Sequence, residues 1–287
     1  MARGLTPRLA LRKADRYRIA MPTELERPGT AIVTGGARRI GAEISRALAA
    51  DGWHVLIHCN RSIDEARALA KTLGAANVVQ ADLAAPAAAD TVMAALDGRP
   101  PPRLLVNNAS RFVHDSAGGF SIDGWDAHLD INLRAPALLS QAFAAHVGNG
   151  PGLIVNLLDA KIAAPNPDFF SYTVSKLGLA GLTELCARAF APAIRVCGIA
   201  PSVTLVSGPQ SRDNFAAVHG LNALRRGVDV AEIVAALRFI VETPTYTGQT
   251  VLLDGGQRFL SLARDVQFID QDRLPPTVGV NPGREGK

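Results

Sequence analysis

The stretch Thr30-Ala31-Ile32-Val33-Thr34-Gly35-Gly36-Ala37-Arg38-Arg39-Ile40-Gly41-Ala42-Glu43-Ile44 decides how this chain is read. Thr30 to Val33 is a short, mostly β-branched run. Glycines follow at once, and then Ile40, Ile44 and Leu48 recur at helical spacing before Gly52. The order predicts strand, glycine turn, helix. In such a turn, backbone N–H groups and the helix N-terminus can close on a pyrophosphate. A glycine cluster also makes tight turns that hold no ligand, so the rest of the chain must separate the two readings.

Working outward, the same alternation continues. His54 to His58 reads as a buried strand. Ser62-Ile63-Asp64-Glu65 opens a helix that runs to about Leu73, with Gly74 as its stop. Then come a strand at Val78-Val79, a helix from about Pro86 to Leu96, a strand at Leu104 to Val106 and one long helix from about Asp123 to His146. The series ends with strand Leu153 to Leu157, helix Phe169 to Phe190, strand Ile194 to Ile199, helix Val230 to Val241 and strand Thr250 to Leu253. Strands that alternate with helices predict an α/β fold: a doubly wound parallel sheet with helices on both faces, three layers in a single domain over residues 28–257. Residues 202–228 have weak periodicity and read as a mobile, substrate-shaping loop. Residues 258–287 read as an extended C-terminal tail ending in Pro- and Gly-rich coil.

Composition narrows the function classes. The 287 residues carry a net charge of +4, but residues 1–20 alone contribute +5, through six Arg and Lys side chains against Asp15. The remainder is therefore at −1, which gives no global electrostatic case for nucleic acid. Residues 1–27 read as a basic, flexible leader, for which an Arg-rich targeting peptide is the alternative and within which Met21 could be the start. No apolar run is long enough to cross a bilayer, so no membrane partner is expected. Cys59, Cys186 and Cys197 form no C-x-x-C pair, and a reducing cytoplasm is the expected compartment. The six histidines show no ligand spacing with Cys or acidic residues, so no metal site is expected. Ser175 lacks a G-x-S-x-G elbow, and Cys197 reads as core.

An acidic residue at the end of the second strand would hold the ribose 2′-hydroxyl of NAD, but here the sequence is His58-Cys59-Asn60-Arg61-Ser62. Arg61, the Ser62 hydroxyl and nearby Arg39 favour a 2′-phosphate instead, because guanidinium groups bind phosphate in a charge-assisted fork. NADP(H) is expected over NAD(H); the competing reading makes Arg61 a solvated turn residue. Tyr172 and Lys176 lie four apart on one helix face. An ammonium beside a phenol favours the phenolate, so the pair could pass a proton near neutrality. Asp159 ends the preceding strand, and strand carboxyl ends form the crevice of such a sheet. The alternative readings make Asp159 a cap for the next segment and Phe112 core packing.

These residues, together with Asp82-Leu83, Asn107-Asn108-Ala109, Asn132, Pro201 and the Gly248 to Gly256 segment, resemble the short-chain dehydrogenase/reductase family across about residues 28–257. The resemblance implies a Rossmann-like fold and a homotetramer. It places Gly35, Arg39, Ile40, Gly41, His58, Asn60, Arg61, Ser62, Asp82, Leu83, Asn108, Ala109, Ser110, Tyr172, Lys176 and Pro201 at the cofactor. It also implies catalytic roles for Asp159, Tyr172, Lys176 and Asn132, the last as a proton relay. Three departures resemble the pteridine reductases: Arg39 where glycine is common, Asp159 where serine is common, and Ser110-Arg111-Phe112 after the Asn-Asn-Ala run. Asn60 departs from that subgroup's basic residue.

By that resemblance Arg39, Ser110, Phe112, Asp159 and Tyr172 would hold a small-molecule substrate, with Phe112 stacking a flat heterocycle against the nicotinamide. The expected activity is NADPH-dependent reduction of a pterin-like ring. The alternatives are an NADP(H)-dependent carbonyl or alcohol oxidoreductase of the same fold, and a dinucleotide-sensing protein without turnover.

Overall fold

The structure, a computed structural model, describes residues 28–148, 150–207 and 210–269. The leader, 1–27, and residues 270–287 lie outside the described residues. Seven strands form the sheet: β1 (Thr30–Val33), β2 (His54–Cys59), β3 (Ala76–Gln80), β4 (Pro102–Asn107), β5 (Gly152–Leu157), β6 (Ile194–Pro201) and β7 (Thr250–Leu253). All pairings are parallel, in the order β3-β2-β1-β4-β5-β6-β7. The strand order reverses between β1 and β4. A crevice therefore opens at the carboxyl ends of these two strands.

Strand periodicity explains the three layers. Ala31, Val33, Val55, Ile57, Leu104, Val106, Leu153 and Val155 point to one face. They meet α1 (Arg39–Ala50), α2 (Ile63–Leu73) and α8 (Val230–Glu242) through Ile44, Leu48, Leu69, Ile233, Leu237 and Ile240. The alternate residues Ile32, Leu56, Leu105, Ile154 and Val196 point to the other face. They meet Val92 and Met93 of α3 (Ala88–Ala94) and Leu139 and Phe143 of α5 (Ala135–Val147). Strands buried on both sides read as continuous apolar runs, as these do. Among the described residues, no helix is long and apolar enough to cross a membrane.

Three expectations need correction. The long helix expected over 123–146 is broken into α4 (Ile122–Leu129), a π-helical turn at Asp130–Arg134, and α5. Pro136 has no N–H to return to the Asn132 carbonyl four residues back, and the Asn132 side chain is bonded elsewhere. Residues 202–228 are not wholly irregular: α7 (Arg212–Val218) starts at Ser211, whose hydroxyl accepts from the Asn214 N–H, and Val218 is buried. Residues 258–269, the described part of the expected tail, do not leave the body as an extended segment. Short 3₁₀ turns at Gln257–Leu260 and Val266–Phe268 carry the chain back against Asp168 and Phe169, just before α6 (Phe170–Phe190), and against α7, with Asp265 and Val266 buried.

Candidate active site

A cavity of about 790 Å³ occupies the crevice, within the range of small-molecule and cofactor sites. Its nucleotide end is built on the glycine turn. Gly35 has φ +60°, and a Cβ there would sit 3.1 Å from the Ala109 Cα; a Cβ on Gly41 would lie 2.2 Å from the Gly35 carbonyl oxygen. Only glycine lets β1, α1 and the loop after β4 approach this closely. The Thr34 hydroxyl accepts from the Asn108 and Ala109 N–H groups at 2.9 and 3.0 Å, and the Asn108 amide donates to the Thr34 carbonyl at 2.8 Å. The buried His58 ring completes the frame. Its Nδ1 accepts the Gly35 N–H at 3.2 Å, which leaves Nε2 as donor to the Ala81 carbonyl at 3.0 Å. Burial lowers the pKa of His58, which keeps the ring neutral and fits this tautomer.

At the end of β2, Asn60, Arg61 and Ser62 line the cavity, with Arg38 and Arg39 across from them on the glycine turn. Neither Asp nor Glu is among the lining residues here. The Arg61 guanidinium makes no hydrogen bond or ion pair among the described residues. Arg38 lies 3.7 Å from Glu65 in an exposed pair, and Arg39 donates to the Ser207 hydroxyl at 3.1 Å. This donor set fits the 2′-phosphate of NADP, and the glycine turn fits its pyrophosphate. Arg39 is held at φ 53°, an uncommon conformation for a residue with a Cβ. Ile40, Leu83, Asn108, Ala109 and Pro201 also line the cavity. Asp82 does not: it is exposed, and its carboxylate accepts from the Ala84 N–H.

The reacting end lies over the start of α6. Tyr172 donates to Asp159 Oδ2 at 2.7 Å, while Asp159 Oδ1 accepts the Lys161 N–H at 2.8 Å. Asp159 is thus both cap and partner of the phenol, so the two readings of this residue are one geometry. Burial pushes the Asp159 carboxyl above the usual carboxylate range, against the opposing pull of its hydrogen bonds and of Lys161 and Lys176. Burial also pushes Tyr172 well above its ordinary value, and the Asp159 charge adds to this. The expectation of a phenolate favoured by Lys176 therefore does not hold in this state. Tyr172 is a neutral phenol, a proton donor, because burial and a neighbouring carboxylate both disfavour its anion. Lys176 is 2% exposed and donates to the Leu157 carbonyl at 2.7 Å; burial lowers its pKa to about 8.

Asn132, in the π turn, is buried and does not line the cavity. Its amide accepts from the Arg111 N–H (2.7 Å) and the Ser110 hydroxyl (3.2 Å), and donates to the Arg111 carbonyl and the Ser175 hydroxyl (2.9 Å each). It therefore locks the Ser110–Phe112 loop to α6. Phe112 is half-buried: one face stacks on Phe169 (4.1 Å between centroids, 15° between planes), an edge meets Tyr172 at 4.7 Å, and the residue lines the cavity. The ring thus packs on one side and borders the cavity.

Sequence reasoning missed Arg38, Phe169 beneath Phe112, and a polar wall made of Lys161, Asn166 and Asp265. Arg38 could have been found from its place in the quoted turn. Phe169 and Asp265 give no local signal for the site, since one is an ordinary aromatic at a helix start and the other lies over 90 residues from Lys161 and Asp168.

The comparisons agree with this geometry. The family described as short chain dehydrogenase matches residues 29–214. The chain is similar to pteridine reductase 1 of Leishmania tarentolae, with 33% identity over 61% of this chain and 76% of that one. It is also similar to 3beta-hydroxysteroid dehydrogenase 1 of Eggerthella lenta, with 28% identity over 79% and 92%. Among solved structures, FolM alternative dihydrofolate reductase 1 from Brucella suis, in complex with NADP, shares 40% identity with a TM-score of 0.77, covering 81% of this chain and 95% of that one.

Proposed function

Since the chain belongs to the short-chain dehydrogenase family and is an NADP-dependent oxidoreductase, we propose that it reduces a C=N bond of a pterin-like heterocycle with NADPH. One observation carries this reading: a carboxylate, Asp159, bonds the Tyr172 phenol directly beside the aromatic platform Phe112. When bound, the reduced nicotinamide supplies hydride to the ring carbon. Gly35, Gly41, Asn108 and Ala109 would cradle its dinucleotide, with Arg39, Arg61 and Ser62 at the 2′-phosphate, His58 and Asn60 at the same end, and Lys176 at the nicotinamide ribose. Phe112 stacks the substrate, and Ser110 meets its polar edge. Tyr172 gives its proton to the adjacent ring nitrogen, and the Asp159 carboxyl, whose pKa burial raises, replaces that proton from solvent. C=N thus becomes CH–NH as NADPH becomes NADP⁺. Asn132 holds the Ser110–Phe112 loop and is the remaining member of the proposed relay.

The relatives support this reading, since the Leishmania protein is named a pteridine reductase and the Brucella structure a dihydrofolate reductase. The steroid dehydrogenase among them favours a carbonyl or alcohol oxidoreductase as the second reading. Following NADPH absorbance with dihydropterins separates the two. Turnover that falls by about 10²–10⁴ in Tyr172→Phe, with NADPH binding kept, is the expected result. Inert dihydropterins together with rapid Tyr172-dependent turnover of a ketone or secondary alcohol would exclude it. NADPH binding without any turnover would support a sensing protein instead.

A further inference from the structure

Residues 262–267 line the same cavity as Asp159, Tyr172 and Phe112, through Leu262, Asp265, Val266 and Gln267. They are held there by Asp168, nearly 100 positions earlier in the chain. Its buried carboxylate accepts Arg264 Nε at 2.7 Å, Arg264 Nη2 at 2.9 Å and the Asp265 N–H at 2.8 Å. Burial opposes the charge on Asp168, but these donors hold its carboxyl below the usual carboxylate range. A planar guanidinium fork on a carboxylate fixes direction as well as distance.

We propose that Asp168 is a positioning residue that makes the segment Leu262–Phe268 a wall of the substrate pocket, and that through Asp265 and Lys161 this wall sets the charge felt by Asp159 and Tyr172. The part concerning substrate rests on the reading that a flat ring lies on Phe112.

Two chains of contact lead from the segment to the reacting groups. The first is ionic. Asp265 Oδ2 lies 2.8 Å from Lys161 Nζ, both side chains being 10% exposed, and Lys161 Nζ also donates to Asn166 Oδ1 at 2.7 Å. The Lys161 backbone N–H is the donor to Asp159 Oδ1. The second is aromatic. Phe268 stacks on Phe169 (5.8 Å, 26°), Phe169 stacks on Phe112, and His114 meets Phe169 and Phe268 edge-on at 5.1 and 4.8 Å. The charged and titratable groups facing Asp265 are Lys161, Asp168 and Arg264, with His114 beside Asp168 at 3.9 Å and Asp159, Tyr172 and Lys176 beyond. The negative charge of Asp265 reaches Tyr172 and raises its pKa.

The test compares Arg264→Ala, Arg264→Lys and Asp265→Asn in the full chain, reading substrate KM, kcat, NADPH affinity, the pH profile and the melting temperature. Arg264 is on the solvent side of the clamp, so its replacement spares the core if Asp265→Asn does not fold. Arg264→Ala is expected to raise substrate KM about tenfold, with NADPH affinity within about twofold and partial recovery in Arg264→Lys, since the wall and not the nucleotide end is loosened. Asp265→Asn is expected to move the pH profile to lower pH, because removing a negative charge eases ionisation of Tyr172. Lower melting temperatures with KM and pH profile untouched would overturn the proposal. If wild type turns over no dihydropterin, the proposed substrate fails; the variants are then read with the ketone or alcohol it does reduce, where an unmoved KM and pH profile overturn the positioning role.

Discussion

Lys176 shows how burial tunes a single residue. Taking the ammonium out of water lowers its pKa to about 8, and only the Asp159 charge opposes this. Because kcat/KM reports groups of the free enzyme, it should fall as pH rises through about 8, where Lys176 loses its proton. A profile flat to pH 10 would count against the role. Arg39 shows the opposite economy, in which backbone strain is kept for a side chain. Its φ of 53° suits glycine, and a left-handed non-glycine residue costs on the order of 1–3 kcal/mol. Arg39→Gly should therefore leave stability unchanged or improved in a thermal melt, while NADPH affinity, read by fluorescence titration, weakens about 10- to 100-fold through loss of a phosphate contact worth roughly 1.5–3 kcal/mol.

At the scale of elements, the π turn between α4 and α5 matters most. Its extra residue per turn directs Asn132 away from the helix ladder, where it meets both the loop carrying Ser110 and Phe112 and the Ser175 hydroxyl on α6. Asn132→Ala leaves the Arg111 N–H and carbonyl without these partners. It should destabilise the fold by about 1–3 kcal/mol in denaturant unfolding and lower turnover more than NADPH binding. An unchanged unfolding midpoint would show that the amide does not lock the loop. Amphipathic spacing alone predicted an unbroken helix here, because a π turn shifts the helix face by one residue and leaves composition untouched.

For the whole molecule, stability should depend on pH through histidines buried in neutral form. The pKa values of His58 and His128 are lowered by burial, below the ordinary value of 6.5. The unfolded chain therefore binds more protons than the folded one as pH falls below 6.5, and stability present above that pH is lost on going down through the folded values. Melting temperatures measured from pH 7.5 to 5 should fall, and less so in His58→Gln; a His58→Gln protein with the wild-type slope would remove His58 from this account. The alternation of strand and helix, the glycine turn and the spacing of Tyr172 and Lys176 were legible in the sequence because they follow from local chain geometry: a period of two, a period of 3.6 and a φ that only glycine takes easily. By its linear order alone, the sequence determined a doubly wound parallel sheet and which residues would stand at its carboxyl edge. The tertiary structure alone decided that Tyr172 is buried against a carboxylate, that Asn132 is bonded to the Ser110–Phe112 loop, and that Asp168 bonds Arg264 and Asp265 beside the pocket. Those outcomes depend on burial and on partners far apart in the chain, neither of which is encoded in any local stretch.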